Sequence, residues 1–184
     1  EAMTGARTLP QLFETSADRF ADAVMMLEKR GARYEGTTYA AMRVLVHRFA
    51  AGLMSLGLEK GDRVALISEG RNAWVMAELG ILYCGAINVP VSVKIDELDD
   101  LTFRLLHAGC TMAIVSQGQV AKIRAIKHDL PHLKLTIALD HLEAQLAGHQ
   151  RLGAVGPGVV QRRPVLAADL DEVRAPLGRH QRDP

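Results

Sequence analysis

The stretch that decides the fold runs from residue 37 to residue 90 and reads TTYAAMRVLVHRFAAGLMSLGLEKGDRVALISEGRNAWVMAELGILYCGAINVP. Thr38 is an N-cap residue, the apolar residues after it recur at helical spacing, and Gly57 marks the end of that helix. The all-apolar run 64–67 then predicts a strand that is buried on both faces. A helix over 72–83 and a strand over 86–91 complete a βαβ unit.

The same alternation of strands and helices continues to residue 139. Downstream, the pattern predicts a helix over 96–107, a strand over 112–115, a helix over 120–128 and a strand over 133–139. Upstream, it predicts a helix over 9–20 and a β-hairpin over 24–39. Short apolar strands that alternate with helices indicate an α/β fold: a doubly wound parallel sheet with an N-terminal helix and β-hairpin.

The composition changes after residue 146. Residues 147–184 contain six arginines but no lysine and no aromatic residue, whereas all six lysines lie upstream. Proline and glycine are frequent there and no period is visible, which is typical of flexible chain. We therefore predict an α/β subdomain over 1–146 and a flexible or aberrant Arg/Pro/Gly-rich tail over 147–184.

Charge and composition exclude several classes of partner. The 184 residues carry a net charge of +1 and only 4% aromatic residues, so we expect no nucleic-acid partner. No apolar run is long enough to be a transmembrane segment, and no signal peptide is recognisable. Cys84 and Cys110 lie among small and apolar residues, where we expect reduced, buried thiols. These features predict a cytoplasmic protein.

Two groups of residues could bind a metal ion, but each has a simpler interpretation. His128 and His132 have the spacing of a helical zinc pair, but Pro131 between them should end the helix. The second group consists of acids in the first turn of a predicted helix: Asp96, Glu97, Asp99 and Asp100. The free N–H groups of a first turn favour carboxylates, so the helix start explains these acids without a bound cation.

Other motifs that could bind phosphate, act as a base or contact nucleic acid are weak. GAVGPG at 153–158 has no strand before it and no helix after it, so we interpret it as a linker and not as a phosphate loop. His47 and His107 have no matching carboxylate, and acids offset the basic residues between 122 and 134. We therefore predict no catalytic, cofactor-binding or metal-binding residue in this chain.

Several segments, taken in order, carry a resemblance to a known family. They are LPQLFETSADRFAD (9–22), TTYAAM (37–42), RFAAGLMSLGLEKGDRVALIS (48–68), SEGRNAWVMAELGILYCGAINVPV (68–91), LLHAGCTMAIVS (105–116) and LPHLKLTIALD (130–140). In wording and spacing the chain resembles the amino-terminal part of AMP-forming acyl-CoA synthetases, which are adenylate-forming ligases. The pattern is closest to the long-chain fatty-acid–CoA ligases.

The resemblance implies a two-step parent reaction. A fatty carboxylate attacks the α-phosphate of Mg-ATP to give acyl-adenylate and pyrophosphate, and the CoA thiol then displaces AMP. ATP, Mg and CoA are thus implied cofactors and substrates of the parent, together with the fatty acid. The family's phosphate loop, adenylate motif, ribose-binding Asp and carboxy-terminal Lys have no counterpart here, so we expect an inactive fragment with no cofactor of its own.

Two alternatives to a ligase fragment remain open at this stage. The chain could be a non-catalytic oligomerisation or regulatory module, which would form a homodimer, or an unrelated flavodoxin-like binding domain. Its last residues leave a further choice between a truncated ligase, a native short protein and a frameshifted product. Codons for His180 to Asp183 can be chosen so that a one-nucleotide shift gives Thr-Ser-Gly-Thr, the start of the family's phosphate loop.

Overall fold

The computed structural model describes residues 8–140, which form five α-helices and six strands. The first half contains α1 (Leu9–Arg19), β1 (Val24–Arg30), β2 (Arg33–Thr38), α2 (Tyr39–Ser55), β3 (Arg63–Ile67) and α3 (Asn72–Tyr83). The second half contains β4 (Ile87–Pro90), α4 (Leu98–Ala108), β5 (Met112–Val115), α5 (Val120–Ile126) and β6 (Leu135–Ala138). The predicted tail at 147–184 and the motif at 153–158 lie outside the described residues.

The strands form two separate sheets. β1 and β2 pair antiparallel as a hairpin, while the other four strands pair in parallel in the order β4-β3-β5-β6. β3 comes first in the chain among these four, yet it pairs with both β4 and β5. The chain therefore builds outward from β3 to one side and then crosses back to the other, as in a doubly wound sheet. This confirms the predicted fold class.

Hydrophobic cores lie on both faces of the parallel sheet, because alternate residues of each strand point to opposite faces. Val64 and Leu66 of β3 belong to the core that also contains buried residues of α1, α2 and α3. Ala65 and Ile67 belong to the second core, which α4 and α5 cover. Because both faces of the sheet are covered, consecutive residues of β3 and β5 are buried and apolar, without the alternation of a half-exposed strand.

The helices begin and pack as local chemistry dictates. Thr38 caps α2, because its Oγ1 accepts a hydrogen bond from the Ala41 N–H at 3.2 Å. Within α3, Gly80 faces α2 so closely that a Cβ built on it would lie 2.5 Å from Phe49 Cδ1. Phe49 is buried, so its ring packs on the bare backbone at Gly80. Glycine at this position permits the close approach of the two helices.

Several predicted boundaries were wrong by one or two residues, including those of the helix over 96–107, which is α4, and of the strand over 86–91, which is β4. The predicted helix over 120–128 is α5 followed by a 3₁₀ turn, Lys127–Asp129, because the chain must turn before Pro131. The predicted strand over 133–139 is shortened to β6 because residues 131–134 still belong to the connection. The prediction for the thiols holds for Cys110, which is buried, whereas Cys84 is only half-buried and its Sγ contacts the Ala50 carbonyl at 3.4 Å.

Candidate functional site

The candidate site lies at the carboxyl edge of the parallel sheet, between β3 and β5. The order of the strands reverses at this point, because β3 connects onward to β4 on one side and β5 lies on the other. Connections that diverge in this way leave a crevice, which is where open α/β sheets bind ligands. The loop 68–71 follows β3 and the loop 116–119 follows β5, so both loops border this crevice.

A bidentate ion pair spans this edge. Arg71 Nη1 lies 2.9 Å from Asp140 Oδ1, and Arg71 Nη2 lies 3.1 Å from Asp140 Oδ2. The Gln117 N–H donates to the same carboxylate, which therefore joins the segments that follow β3, β5 and β6. The hydrogen bonds from Arg71 lower the pKa of Asp140, and the bond from Gln117 adds to this effect against a smaller opposing effect of burial.

Glu69 supplies a second negative charge at the same edge. A backbone hydrogen bond within Glu69 and the Ser116 hydroxyl lower the pKa of its carboxyl, and Arg71 and Gln119 contribute further. Ser116 and Gln119 are buried, whereas Glu69 is exposed. The edge thus holds ionised carboxylates beside one guanidinium.

This arrangement can fix three loops relative to one another, but it holds no complete catalytic set within residues 8–140. Arg71 and Asp140 engage each other, and a paired guanidinium binds an incoming phosphate less readily than a free one. Between residues 8 and 140 we find neither a lysine within a glycine-rich phosphate loop nor a serine paired with a histidine. Within residues 8–140, the edge is thus a junction that ties together the segments following β3, β5 and β6.

A second polar cluster joins the helices on one face of the sheet. His47 Nε2 of α2 lies 2.7 Å from Glu14 Oε1 of α1, and the Tyr83 hydroxyl of α3 donates to the same oxygen. Burial alone would raise the pKa of Glu14, but the bonds from Tyr83 and His47, with the charges of His47 and Arg43, lower it overall. The expectation that His47 has no matching carboxylate was therefore wrong, because the carboxylate comes from a helix 33 residues earlier.

The other candidate residues take the roles of their simpler interpretations. Asp99 and Asp100 lie in the first turn of α4, Glu97 is its N-cap, and Asp96 Oδ1 pairs with Lys122 Nζ at 2.8 Å. This fits a helix start and not a cation site.

The histidines do not form a metal site in the described part of the chain. His128 lies within the 3₁₀ turn, where its Nε2 is 3.1 Å from Asp129 Oδ2, whereas His132 follows Pro131 in the connection to β6. Over residues 8–140, no group of three or more His, Cys, Asp or Glu side chains could hold a metal ion.

In the same range, we find no helix with the length and apolar character that a bilayer span requires.

Curated relatives match about seven-tenths of the chain. Over 139 residues, the chain is 30% identical to the long-chain-fatty-acid–CoA ligase heimdall of Drosophila melanogaster, covering 72% of this chain and 20% of that protein. Over 132 residues, it is 27% identical to the long-chain-fatty-acid–CoA ligase ACSBG1 of Bos taurus, covering 71% of this chain and 18% of the relative. The chain thus spans about a fifth of the length of the curated relatives it matches.

Solved structures share the fold. The N-terminal domain of FACL13 from Mycobacterium tuberculosis superposes with a TM-score of 0.68 at 24% identity, over 85% of this chain and 39% of that one. A fatty acyl CoA synthetase from the same organism has a TM-score of 0.68 at 25% identity, over 75% of this chain and 28% of that one. The family model described as AMP-binding enzyme matches residues 13–171, which is most of the sequence. The chain therefore belongs to the family of AMP-binding enzymes.

Proposed function

We propose that the chain is the amino-terminal part of an ATP-dependent, AMP-forming long-chain fatty-acid–CoA ligase. The observation that carries this proposal is the family match over residues 13–171, together with relatives that are long-chain-fatty-acid–CoA ligases. The parent would join a fatty carboxylate to AMP with release of pyrophosphate, and would then transfer the acyl group to the CoA thiol with release of AMP. Its substrates and cofactors would be fatty acid, ATP, Mg and CoA.

Within this reaction, the described residues would act as a scaffold. The in-line attack on the α-phosphate needs cationic donors or a metal at the developing charge. The guanidinium of Arg71 is held by Asp140 at the crevice, so it would order the edge against which the rest of the enzyme packs. The 184-residue chain by itself would then be inactive. It would consist of a subdomain over 1–146 and the Arg/Pro/Gly-rich segment 147–184.

A pyrophosphate-exchange assay tests this proposal. The transcript is first sequenced beyond codon 184 in all three frames, and the longer open reading frame is expressed beside the 184-residue chain. We expect a Thr/Ser/Gly-rich loop followed by a lysine downstream. We also expect palmitate-dependent exchange of labelled pyrophosphate into ATP by the longer protein, and none by the shorter one above a blank without palmitate.

Either half of the proposal can fail separately. Exchange by the 184-residue chain alone would contradict its inactivity. A longer protein that has the loop but shows no exchange with palmitate, while it responds to a short or aromatic acid, would contradict the long-chain substrate. A transcript in which no reading frame beyond codon 184 encodes such a loop would contradict the proposal that the chain is part of a ligase.

A second candidate is a non-catalytic module that forms homodimers in the cytoplasm. The exposed apolar side chains favour it: Leu27 and Tyr34 on the hairpin are 65% and 67% exposed, and Phe103 on α4 is 64% exposed. Exposed apolar surface of this kind often marks a contact with another chain. The two free thiols agree with a reducing compartment. Light scattering should give a mass of about twice the 20.0 kDa of the chain, and a monomer would argue against this candidate.

A further inference from the structure

A cleft opens at the amino edge of the parallel sheet, opposite the candidate functional site. It has a volume of about 430 Å³ and lies where β3, β5 and β6 begin. Three basic residues line it: Arg63 at the start of β3, and His132 and Lys134 just before β6. Of the residues between 8 and 140 that line this amino-edge cleft, none is acidic.

The guanidinium of Arg63 is held in position by the end of α4. Arg63 Nε donates to the Gly109 carbonyl at 3.0 Å, and a Cβ on Gly109 would lie 3.1 Å from Arg63 Nη2. Gly109 has a φ of 62° and ends α4, so a glycine is favoured there both by the backbone and by the guanidinium. Only one of the five N–H groups of Arg63 is used in this bond, which leaves the Nη groups for another acceptor.

Lys134 is brought beside Arg63 by the backbone. Its N–H donates to the Thr111 carbonyl at 2.8 Å, and the Thr111 N–H donates to the Arg63 carbonyl at 2.9 Å. Neither Lys134 nor Arg63 forms an ion pair with any acid of residues 8–140. Lys122 provides the contrast, because its Nζ is engaged by Asp96 and by two carbonyl oxygens.

Apolar atoms form the other part of the lining. Leu106 of α4, which is 42% exposed, and Pro131 both line the cleft. A volume of about 430 Å³ exceeds what a single phosphate group fills and lies within the range of small-molecule sites. The hydrogen bond to the Gly109 carbonyl gives Arg63 a structural role at the end of α4. That bond does not account for the other two basic residues of the lining, Lys134 and His132.

We propose that the amino-edge cleft binds an organic phosphomonoester: a phosphate group held by Arg63, Lys134 and His132, with an apolar substituent against Leu106 and Pro131. Guanidinium and ammonium groups are the donors that proteins use for phosphate. The cleft lies at the opposite end of the strands from the crevice between β3 and β5. The ligand is therefore an additional one, and its binding does not depend on the proposed ligase activity.

Titration of the ¹⁵N-labelled 184-residue chain with phenyl phosphate tests the proposal by NMR. Inorganic phosphate serves as a second probe, and sodium chloride keeps the ionic strength constant. We expect saturable shifts of the amide signals of Gly109, Thr111 and Lys134, with phenyl phosphate binding more tightly than inorganic phosphate. Lys134→Gln should weaken the binding of phenyl phosphate about tenfold, as expected for the loss of a charged hydrogen bond.

Lys29→Gln is the matched control, because it removes the same charge from the exposed hairpin, and it should bind phenyl phosphate like the wild type. Arg63→Gln would also remove the hydrogen bond to the Gly109 carbonyl at the end of α4, so the decision rests on Lys134→Gln. The proposal is overturned if no saturable shift occurs up to about 10 mM phenyl phosphate, a concentration that would nearly saturate a site with a Kd of about 1 mM. It is also overturned if Lys134→Gln binds as tightly as the wild type. Equal affinity for inorganic phosphate would overturn the apolar part of the proposed ligand.

Discussion

Replacing Gly80 by alanine tests how closely α2 and α3 are packed. The added Cβ would lie 2.5 Å from Phe49 Cδ1, which is well inside contact distance. The ring of Phe49 is only 2% exposed, so it cannot swing into solvent without leaving the core. One of the two helices, or the ring itself, must therefore move.

Two opposing effects set the magnitude for Gly80→Ala. In a helix interior, alanine is more favourable than glycine by about 1 kcal/mol. Overpacking a well-filled core costs about 1–3 kcal/mol. The net change in the free energy of unfolding should thus be a loss of about 0–2 kcal/mol. The single variant alone does not separate the two effects.

A double-mutant cycle with Phe49→Val separates them. Valine lacks the Cδ1 and Cε1 atoms that would meet the new Cβ, so Gly80→Ala should become stabilising by up to about 1 kcal/mol in that background. The coupling free energy between the two sites should be about 1–3 kcal/mol. It is measured by urea unfolding followed by circular dichroism, with the fluorescence of Trp74 in α3 as a second probe.

Gly70→Ala is the control for the cycle. A Cβ on Gly70 would meet no atom within 4 Å and its φ is not in the left-handed region. Its coupling with Phe49→Val should stay within about 0.5 kcal/mol. If the Gly80–Phe49 coupling is equally small, the close approach of the two helices does not require glycine and the reasoning is refuted.

Three further predictions concern an ion pair, a helix cap and the thiols. Asp140→Asn removes the charge that pairs with Arg71 and should lower the free energy of unfolding at pH 7. The loss should be only about 1 kcal/mol, because the ion pair is partly exposed. The folded-state pKa of Asp140 is lowered from 3.8, so this difference should persist above pH 3.8 and vanish as the pH falls through the lower folded value in acid unfolding curves. Thr38→Ala should lower the unfolding free energy by about 0.5–2 kcal/mol in urea, because α2 loses its cap. Burial raises the pKa of Cys110 to about 11, so in a thiol-labelling time course Cys84 should react first, and the reverse order would contradict the described burial.

The sequence was sufficient to predict the helices and strands whose ends carry strong signals. The helix over 72–83 and the strand over 112–115 match α3 and β5 residue for residue. Each of these segments is mainly apolar and ends at a glycine or a polar turn, so the boundary is local. The capping box that Thr8 and Gln11 form at the start of α1 was not among the predictions.

The contacts at the candidate site were beyond prediction from local patterns. Arg71 and Asp140 are 69 residues apart and meet only because β6 lies on the same side of β3 as β5. Hydrophobic periodicity identifies a strand but does not give its place in the sheet. The same holds for Glu14 and His47, whose contact depends on how α1 lies across α2. The usable signal was that Arg71 and Asp140 each closely follow the carboxyl end of a strand.

The position of β3 has a consequence for synthesis on the ribosome. Its nearly all-apolar strand leaves the ribosome before either of its partners, and contact with the second partner is first made between Arg63 and Thr111, 48 residues later. At about 5–20 residues per second, this interval lasts about 2–10 s. During that time a ready-made β-forming segment has an unsatisfied edge, which invites pairing with other nascent chains. Helices α2 and α3, which flank β3 in the chain, can cover one of its apolar faces during this interval, but the hydrogen-bonding edge is satisfied only when β5 pairs with it.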